Sequence, residues 1–169
     1  MRNIVLVGFM GVGKTEVAKV LSARLNMRYA STDRLIEKKE GISIREIFSG
    51  KGEAYFRKLE KQVVKEVSLM ENAVIDAGGG VVIDPENLKN LKKKGLVFCL
   101  RAEPGIILER TKKYVHRPLL NVRDPLEKIK KLLESRKHFY EPADFHLDTS
   151  AMSVGKVADE VEGILKNVR

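Results

Sequence analysis

The chain has no tryptophan, one cysteine and one glutamine among its 169 residues, and aromatic residues make up only 6% of it. The lone Cys99 cannot close an internal disulfide or build a thiolate metal site, so a reducing, cytoplasmic setting is expected. No apolar run approaches the roughly 18 residues of a membrane span. The apolar stretch Ile4–Val7 is too short for a secretory signal and is followed by no small-residue cleavage site, so it reads as a first strand. The few aromatics form no aromatic–glycine pattern of the kind that stacks on RNA bases. Neither a membrane nor a nucleic acid is expected as a partner.

The length suits one compact unit, since a domain usually takes about 100–200 residues, and the expected organisation is a single domain over residues 1–169. With 43% hydrophobic and 33% charged residues the composition is that of an ordinary globular protein. The 32 Lys and Arg exceed the 23 Asp and Glu by nine. Between Glu109 and Lys137 stand ten basic and four acidic residues, so six of the nine surplus charges are concentrated there. Most of those lysines read as a solvated helix face, because lysine is rarely buried. The three histidines, His116, His138 and His146, show no metal-ligand spacing.

Val- and Ile-rich runs at Ile4–Val7, Ala73–Ile75 and Leu96–Leu100 alternate with helical patterns, and Met27–Ser31 and Phe145–Leu147 add two shorter candidate strands. Strands alternating with helices predict a mostly parallel sheet covered on both faces. Thr15–Leu25 places Val17, Ala18, Leu21 and Leu25 on one face, and Glu53–Met70 repeats apolar residues at spacings of three and four, so both read as amphipathic helices. A C-terminal helix carries Val154, Val157, Val161 and Ile164. Two stretches fit no regular element. Ala77-Gly78-Gly79-Gly80 ends the third strand, where glycine lets a ligand approach the backbone, and the cationic segment of about residues 112–124, with Pro118, reads as a lid.

The chemistry begins at Gly8-Phe9-Met10-Gly11-Val12-Gly13-Lys14-Thr15, a full match to G-x-x-x-x-G-K-[ST] between a strand and a helix, the context that a P-loop requires. Its glycines let backbone N–H groups turn toward a triphosphate and the helix adds its positive end. Lys14 is placed for the β and γ phosphates, and the Thr15 hydroxyl for Mg²⁺. The loop announces a nucleoside triphosphate and leaves the acceptor open. A nucleotide switch is one alternative, because Asp76-Ala77-Gly78-Gly79 fits D-x-x-G and Asn121-Val122-Arg123-Asp124 fits a loose N-x-x-D, though the latter lies in the cationic segment rather than after a buried strand. An RNA-associated NTPase is another. A small-molecule kinase is favoured by two arginines. The stripe Leu126, Ile129, Leu133 continues inward to Arg136, and Arg57 stands beside Phe56 with Glu53 and Glu60 in helical reach. An inward guanidinium needs an anion, either an internal carboxylate or a carboxylate or phosphate ligand gripped by the planar fork.

A longer ordered series then resembles the shikimate kinase family. It comprises Gly8 to Thr15, Thr32-Asp33 with Ile36-Glu37, Gly41-Ile42-Ser43-Ile44 with Ile47-Phe48, Gly52-Glu53, Phe56-Arg57 and Glu60, Gly78-Gly79-Gly80, Arg117-Pro118-Leu119-Leu120, Arg136 and Tyr140. The resemblance implies a three-layer α/β fold of the nucleoside-monophosphate-kinase type, with a five-stranded parallel sheet in the order 2-3-1-4-5, helices on both faces and a mobile lid. It implies transfer of the γ-phosphate of ATP to the 3-hydroxyl of shikimate, with Mg²⁺ required, in a monomeric or weakly associating enzyme. Asp33 matches the catalytic aspartate, joined by Lys14 and by the lid residue Arg117. Gly11, Val12, Gly13, Lys14, Thr15, Glu16, Arg110 and Arg117 match the ATP site. Asp33, Arg57, Gly78, Gly79, Gly80 and Arg136 match the acceptor site within and beyond a substrate-binding region of about residues 33–60. One departure stands out. The family typically carries Asp-x-Asp where this chain reads Ser31-Thr32-Asp33, and Asp76 stands at a strand end where the family commonly has a small or hydroxyl residue. Asp76 is therefore a candidate to restore, behind Mg²⁺, the charge that Ser31 omits.

Overall fold

In the computed structural model, residues 2–112 and 122–168 are described. The chain runs β1 (Asn3–Val7), α1 (Lys14–Leu25), β2 (Arg28–Ser31), α2 (Thr32–Glu40), α3 (Ile44–Lys51), α4 (Glu53–Ser68) and β3 (Ala73–Asp76). After a short 3-10 turn at Val81–Ile83 follow α5 (Pro85–Lys94), β4 (Gly95–Arg101), α6 (Pro104–Lys112), α7 (Pro125–Tyr140), β5 (Phe145–Asp148) and α8 (Val154–Asn167). The five strands form one parallel sheet in the order β2-β3-β1-β4-β5, the order that the resemblance implies.

Strand alternation divides the apolar residues between two cores, because successive side chains point to opposite faces. Ile4, Leu6, Val74, Leu96, Phe98 and Leu100 face a core built with α1, α6, α7 and α8. Val5, Val7, Ala73, Ile75, Val97 and Cys99 face the other, closed by α2, α3, α4 and α5. Cys99 is thus a small buried hydrophobe whose thiol burial pushes up, away from the reactive thiolate. No helix among the described residues is long and apolar enough to cross a membrane.

Four helices lie where the apolar pattern draws none, and their ends explain them. Ser31 caps α2, accepting from the Arg34 N–H at 3.4 Å. Ser43 and Glu46 form a reciprocal capping box that starts α3. Asp84 caps α5, with Pro85 in its first turn and Lys92, Lys93 and Lys94 in its last, in line with the helix dipole. Pro104 likewise opens α6. These helices are short or bear narrow apolar faces, so their caps announce them more clearly than their periodicity.

Asn3 anchors the lower end of the sheet. It is 1% exposed, its Nδ2 donates to the Met70 carbonyl at 2.7 Å, and its Oδ1 accepts from the Ala73 N–H at 3.0 Å. One side chain therefore fixes where β3 begins beside β1. Asn3→Ala strands one buried and one half-buried backbone group and is expected to destabilise the fold by about 2–4 kcal/mol. That is a drop of roughly 5–15 °C in Tm, measurable by thermal unfolding; an unchanged Tm would show that the two backbone groups find other partners.

Candidate active site

The P-loop leaves the carboxyl end of β1 with Gly8, Gly11 and Gly13 at positive φ (142°, 79° and 98°). A side chain at Gly8 would collide with the Leu100 carbonyl of β4, and one at Gly11 would come within 2.8 Å of the Thr111 methyl on α6. These glycines are required by close backbone approach as well as by the turn. Gly13 precedes α1 with no side-chain cap, so the first-turn N–H groups face the loop as an anion site. Lys14, 9% exposed, spans the loop from inside, its Nζ donating to the carbonyls of Gly8 (2.8 Å) and Phe9 (3.1 Å).

Beside the loop lies Asp76, 6% exposed, at the end of β3. The Thr15 hydroxyl donates to its Oδ2 at 2.7 Å, and the Tyr29 hydroxyl donates to the same oxygen at 3.1 Å. Burial first and the Asp76 charge second push the Tyr29 phenol up to about 12, so it stays a donor at any physiological pH. Ser31 is directly opposite Asp76 in the β2–β3 register, with its hydroxyl engaged in capping α2. The carboxylate that reaches the P-loop threonine thus comes from β3, while the neighbouring position on β2 carries a helix cap.

The three glycines after β3 serve three purposes. A Cβ at Gly78 would run into the Asp33 carboxylate, one at Gly80 into the Arg57 guanidinium, and one at Gly79 would come within 3.5 Å of the Met10 amide nitrogen of the P-loop. The Gly78 N–H is taken by the Thr32 hydroxyl at 2.8 Å, so Gly78 serves the site by leaving room for Asp33 rather than by donating. The Gly79 carbonyl accepts from the Tyr140 hydroxyl at 2.7 Å.

Arg57 on α4 is held between Glu53, at 3.2 Å and mostly exposed, and Glu60, at 2.8 Å and 2% exposed. The internal ion pair that the spacing allows is formed. Burial raises the Glu60 pKa above the ordinary carboxylate value, the Arg57 charge pulling it part of the way back, and Asp33 and Arg136 also act on it. Arg57 is thus paired with a buried carboxylate, and the charges of Asp33 and Arg136 lie near enough to act on it. Arg136 occupies the inward stripe of α7 and lies over the Phe9 ring at 5.7 Å. On the far side of the P-loop, Arg110 of α6 donates to the Thr149 carbonyl (2.8 Å) and hydroxyl (3.0 Å), and the Thr149 hydroxyl donates in turn to the Val12 carbonyl at 2.9 Å.

A cleft of about 1350 Å³ joins these groups. It brings together Gly11–Glu16, Asp33, Arg57, Asp76, Gly78–Gly80, Arg110 and Arg136, which is every described candidate of the sequence reading. Arg117, His116 and most of the 112–124 segment lie outside the described residues. The cleft also holds groups to which the sequence alone gives no individual role. Tyr29 and Thr149 meet their partners only across the fold. Ile44, Phe48 and Phe56 supply an apolar wall, with the two phenylalanine rings 4.7 Å apart; their helical spacing could have drawn attention to it.

Gly80→Ala tests the spacing. The added methyl must displace the Arg57 guanidinium, while the nucleotide loop is untouched. The expected result is a rise of about tenfold in acceptor KM with ATP KM within twofold, read by steady-state kinetics.

Comparison with known proteins identifies the family. The sequence profile of the family described as shikimate kinase matches residues 10–166. Shikimate kinases of Thermodesulfovibrio yellowstonii and Caldanaerobacter subterraneus are 47% and 48% identical over 161 residues, covering 95% of this chain and 93% and 94% of theirs. The structure of shikimate kinase from Acinetobacter baumannii in complex with shikimate superposes with a TM-score of 0.95 at 33% identity, covering 100% of this chain and 95% of that one. With a P-loop, a cleft lined by acidic and cationic side chains and a match running nearly end to end, the chain belongs to the shikimate kinase family.

Proposed function

We propose that the reaction of this ATP-dependent kinase, transfer of the γ-phosphate to the 3-hydroxyl of shikimate, is carried by Asp33, Lys14 and Arg117, with the acceptor held between Arg57, Arg136 and the glycine loop. The observation that supports this most is that Asp33, Arg57 and Arg136 line one cleft together with the P-loop. A guanidinium fork on each of two helices suits the carboxylate of shikimate, and the backbone amides of Gly79 and Gly80 suit its ring hydroxyls. Asp33 stands in the first turn of α2, against Gly78. From there it orients the acceptor oxygen toward the γ-phosphate and takes its proton as the bond forms. Lys14 neutralises charge on the β and γ phosphates, helped by the first-turn N–H groups of α1. Gly11, Val12, Gly13 and Glu16 line the phosphate side, and Arg110, tied to Val12 through Thr149, borders the nucleobase side. Arg117, on a lid of about residues 112–124, covers the phosphates and keeps water from competing as acceptor.

Magnesium fits the donor set. A hydroxyl backed by a buried carboxylate is the oxygen chemistry that a hard cation takes, so Thr15 would hold Mg²⁺ and Asp76 would support it from behind. When bound, the ion would neutralise charge on the phosphate oxygens. The whole chain is read as one catalytic unit, monomeric and cytoplasmic, with no nucleic-acid or membrane partner.

Release of ADP from Mg·ATP, with and without shikimate, tests the reaction, and mass analysis of the product identifies the site of phosphorylation. Asp33→Asn is expected to lower kcat by about 10²–10⁴ with both KM values little changed. Arg136→Ala is expected to raise shikimate KM by about 10–100-fold while ATP KM stays within twofold; equal losses for both ligands would contradict the acceptor role. For the metal, Asp76→Ser is expected to raise the Mg²⁺ concentration for half-maximal turnover by about 10-fold or more. An unchanged requirement would remove Asp76 from the metal site.

A further inference from the structure

Tyr140 closes α7 at the point where two parts of the acceptor site meet. It is 6% exposed and its ring belongs to the core that contains Cys99 of β4. Its hydroxyl donates to the Gly79 carbonyl at 2.7 Å, and the Arg136 guanidinium faces the same oxygen, with Arg57 acting on it from α4. Arg136 and Tyr140 are four residues apart, hence on one face of α7. Arg136 in turn lies over Phe9 of the P-loop.

The peptide group gives this contact its leverage. The Gly79 carbonyl and the Gly80 N–H belong to one planar unit and point in opposite directions across it. Fixing the carbonyl on Tyr140 therefore fixes the direction of the Gly80 N–H. Glycine on both sides leaves that plane little resistance of its own, since both flanking residues lack the Cβ that restricts rotation. The loop is pinned on its other flank, where the Gly78 N–H donates to Thr32. Thr32 fixes where the loop starts, and Tyr140 fixes how the next plane is turned.

We infer that Tyr140 is a positioning residue for the phosphoacceptor: through one hydroxyl it sets the orientation of the Gly79–Gly80 peptide and holds Arg136 in register with it. The inference rests on the acceptor reading of Arg136 and the glycine loop given above. Burial pushes the phenol up to about 12, so the hydroxyl keeps its proton for Gly79 throughout the physiological range. The ring could pack equally well without that oxygen, which separates a positioning role from mere filling of the core.

Tyr140→Phe removes the oxygen and keeps the ring. The expected result is a rise of about 3–10-fold in shikimate KM, as for loss of one hydrogen bond to a positioned group, with ATP KM within twofold and a shift of the Gly80 amide resonance in the shikimate-free protein. Arg136→Lys keeps the charge but replaces the planar fork, so it too should raise shikimate KM. The double variant should then lose less than the product of the two single effects, since both changes loosen one arrangement. Isothermal titration with shikimate, run below the melting temperature of each variant, gives the same comparison if turnover is low. A Tyr140→Phe enzyme with unchanged shikimate KM and affinity, beside an Arg136→Lys enzyme that is impaired, would overturn the inference while leaving the acceptor reading intact. An Arg136→Lys enzyme with normal shikimate binding would overturn the acceptor reading on which the inference stands.

Discussion

The register of three parallel strands governs this site. Leu6 of β1, Asp76 of β3 and Ser31 of β2 form one row across the sheet, and the Ala77 N–H donates to the Leu6 carbonyl at 3.1 Å, carrying the ladder one residue past β3. Three chain segments therefore leave the sheet at one level: the P-loop, the glycine loop and the start of α2. β1 has β3 on one side and β4 on the other, the arrangement in which loops diverge and open a crevice at the carboxyl ends of the strands. The side-chain contact that fixes the lower end of β3, made by Asn3, thus bears on a site at its opposite end. A slip of one residue would turn every β3 side chain to the other core and carry Asp76 away from Thr15.

The charges in the cleft divide into those held by partners and those backed by neutral donors. Arg57 is steadied by Glu53 and Glu60, so its guanidinium is held in one position at the cleft. Removing Glu60 from water costs free energy, visible as its raised pKa, and Arg57 offsets part of that cost. Asp76 is held differently. Thr15 and Tyr29 stabilise its charge by hydrogen bonding without cancelling it, so the carboxylate still acts on the Thr15 oxygen. Asp76 and Ser31 share one row of the sheet, so the buried carboxylate and the cap of the helix that carries Asp33 stand side by side.

The parts of this structure legible in the sequence are those encoded by local pattern. Short apolar runs of three to five residues marked the strands, the G-x-x-x-x-G-K-T run marked the loop, and three residues of apolar spacing were enough to place Arg136 on an inward stripe. The order of the strands came from the resemblance rather than from any pattern. Helices α2, α3, α5 and α6 escaped the apolar periodicity, yet the Ser43–Glu46 box and the Asp84-Pro85 pair were written in plain view as caps. What could not be read are pairs whose members stand far apart in the chain. Tyr29 and Asp76 are 47 residues apart, Tyr140 and Gly79 61, and Asn3 and Ala73 70. No periodicity within one element announces such a contact. The Arg57–Glu60 pair shows the opposite case, because helical spacing brings its partners together before any tertiary structure is known.

The run Gly78-Gly79-Gly80 shows how sequence economy can hide separate constraints. Read alone, three glycines suggest a flexible loop that exposes backbone to a ligand. In place they give room for a carboxylate at the first position, a rotatable peptide against the P-loop at the second and room for a guanidinium at the third. The freedom that glycine confers would blur the site if nothing restrained it, and Thr32 and Tyr140 supply the restraint from opposite flanks. The loop thus combines small size with external bracing. Phosphoryl transfer depends on placing one oxygen in line with one phosphorus, so a backbone thin enough to admit the groups that act, and braced enough not to move among them, is the arrangement the chemistry requires.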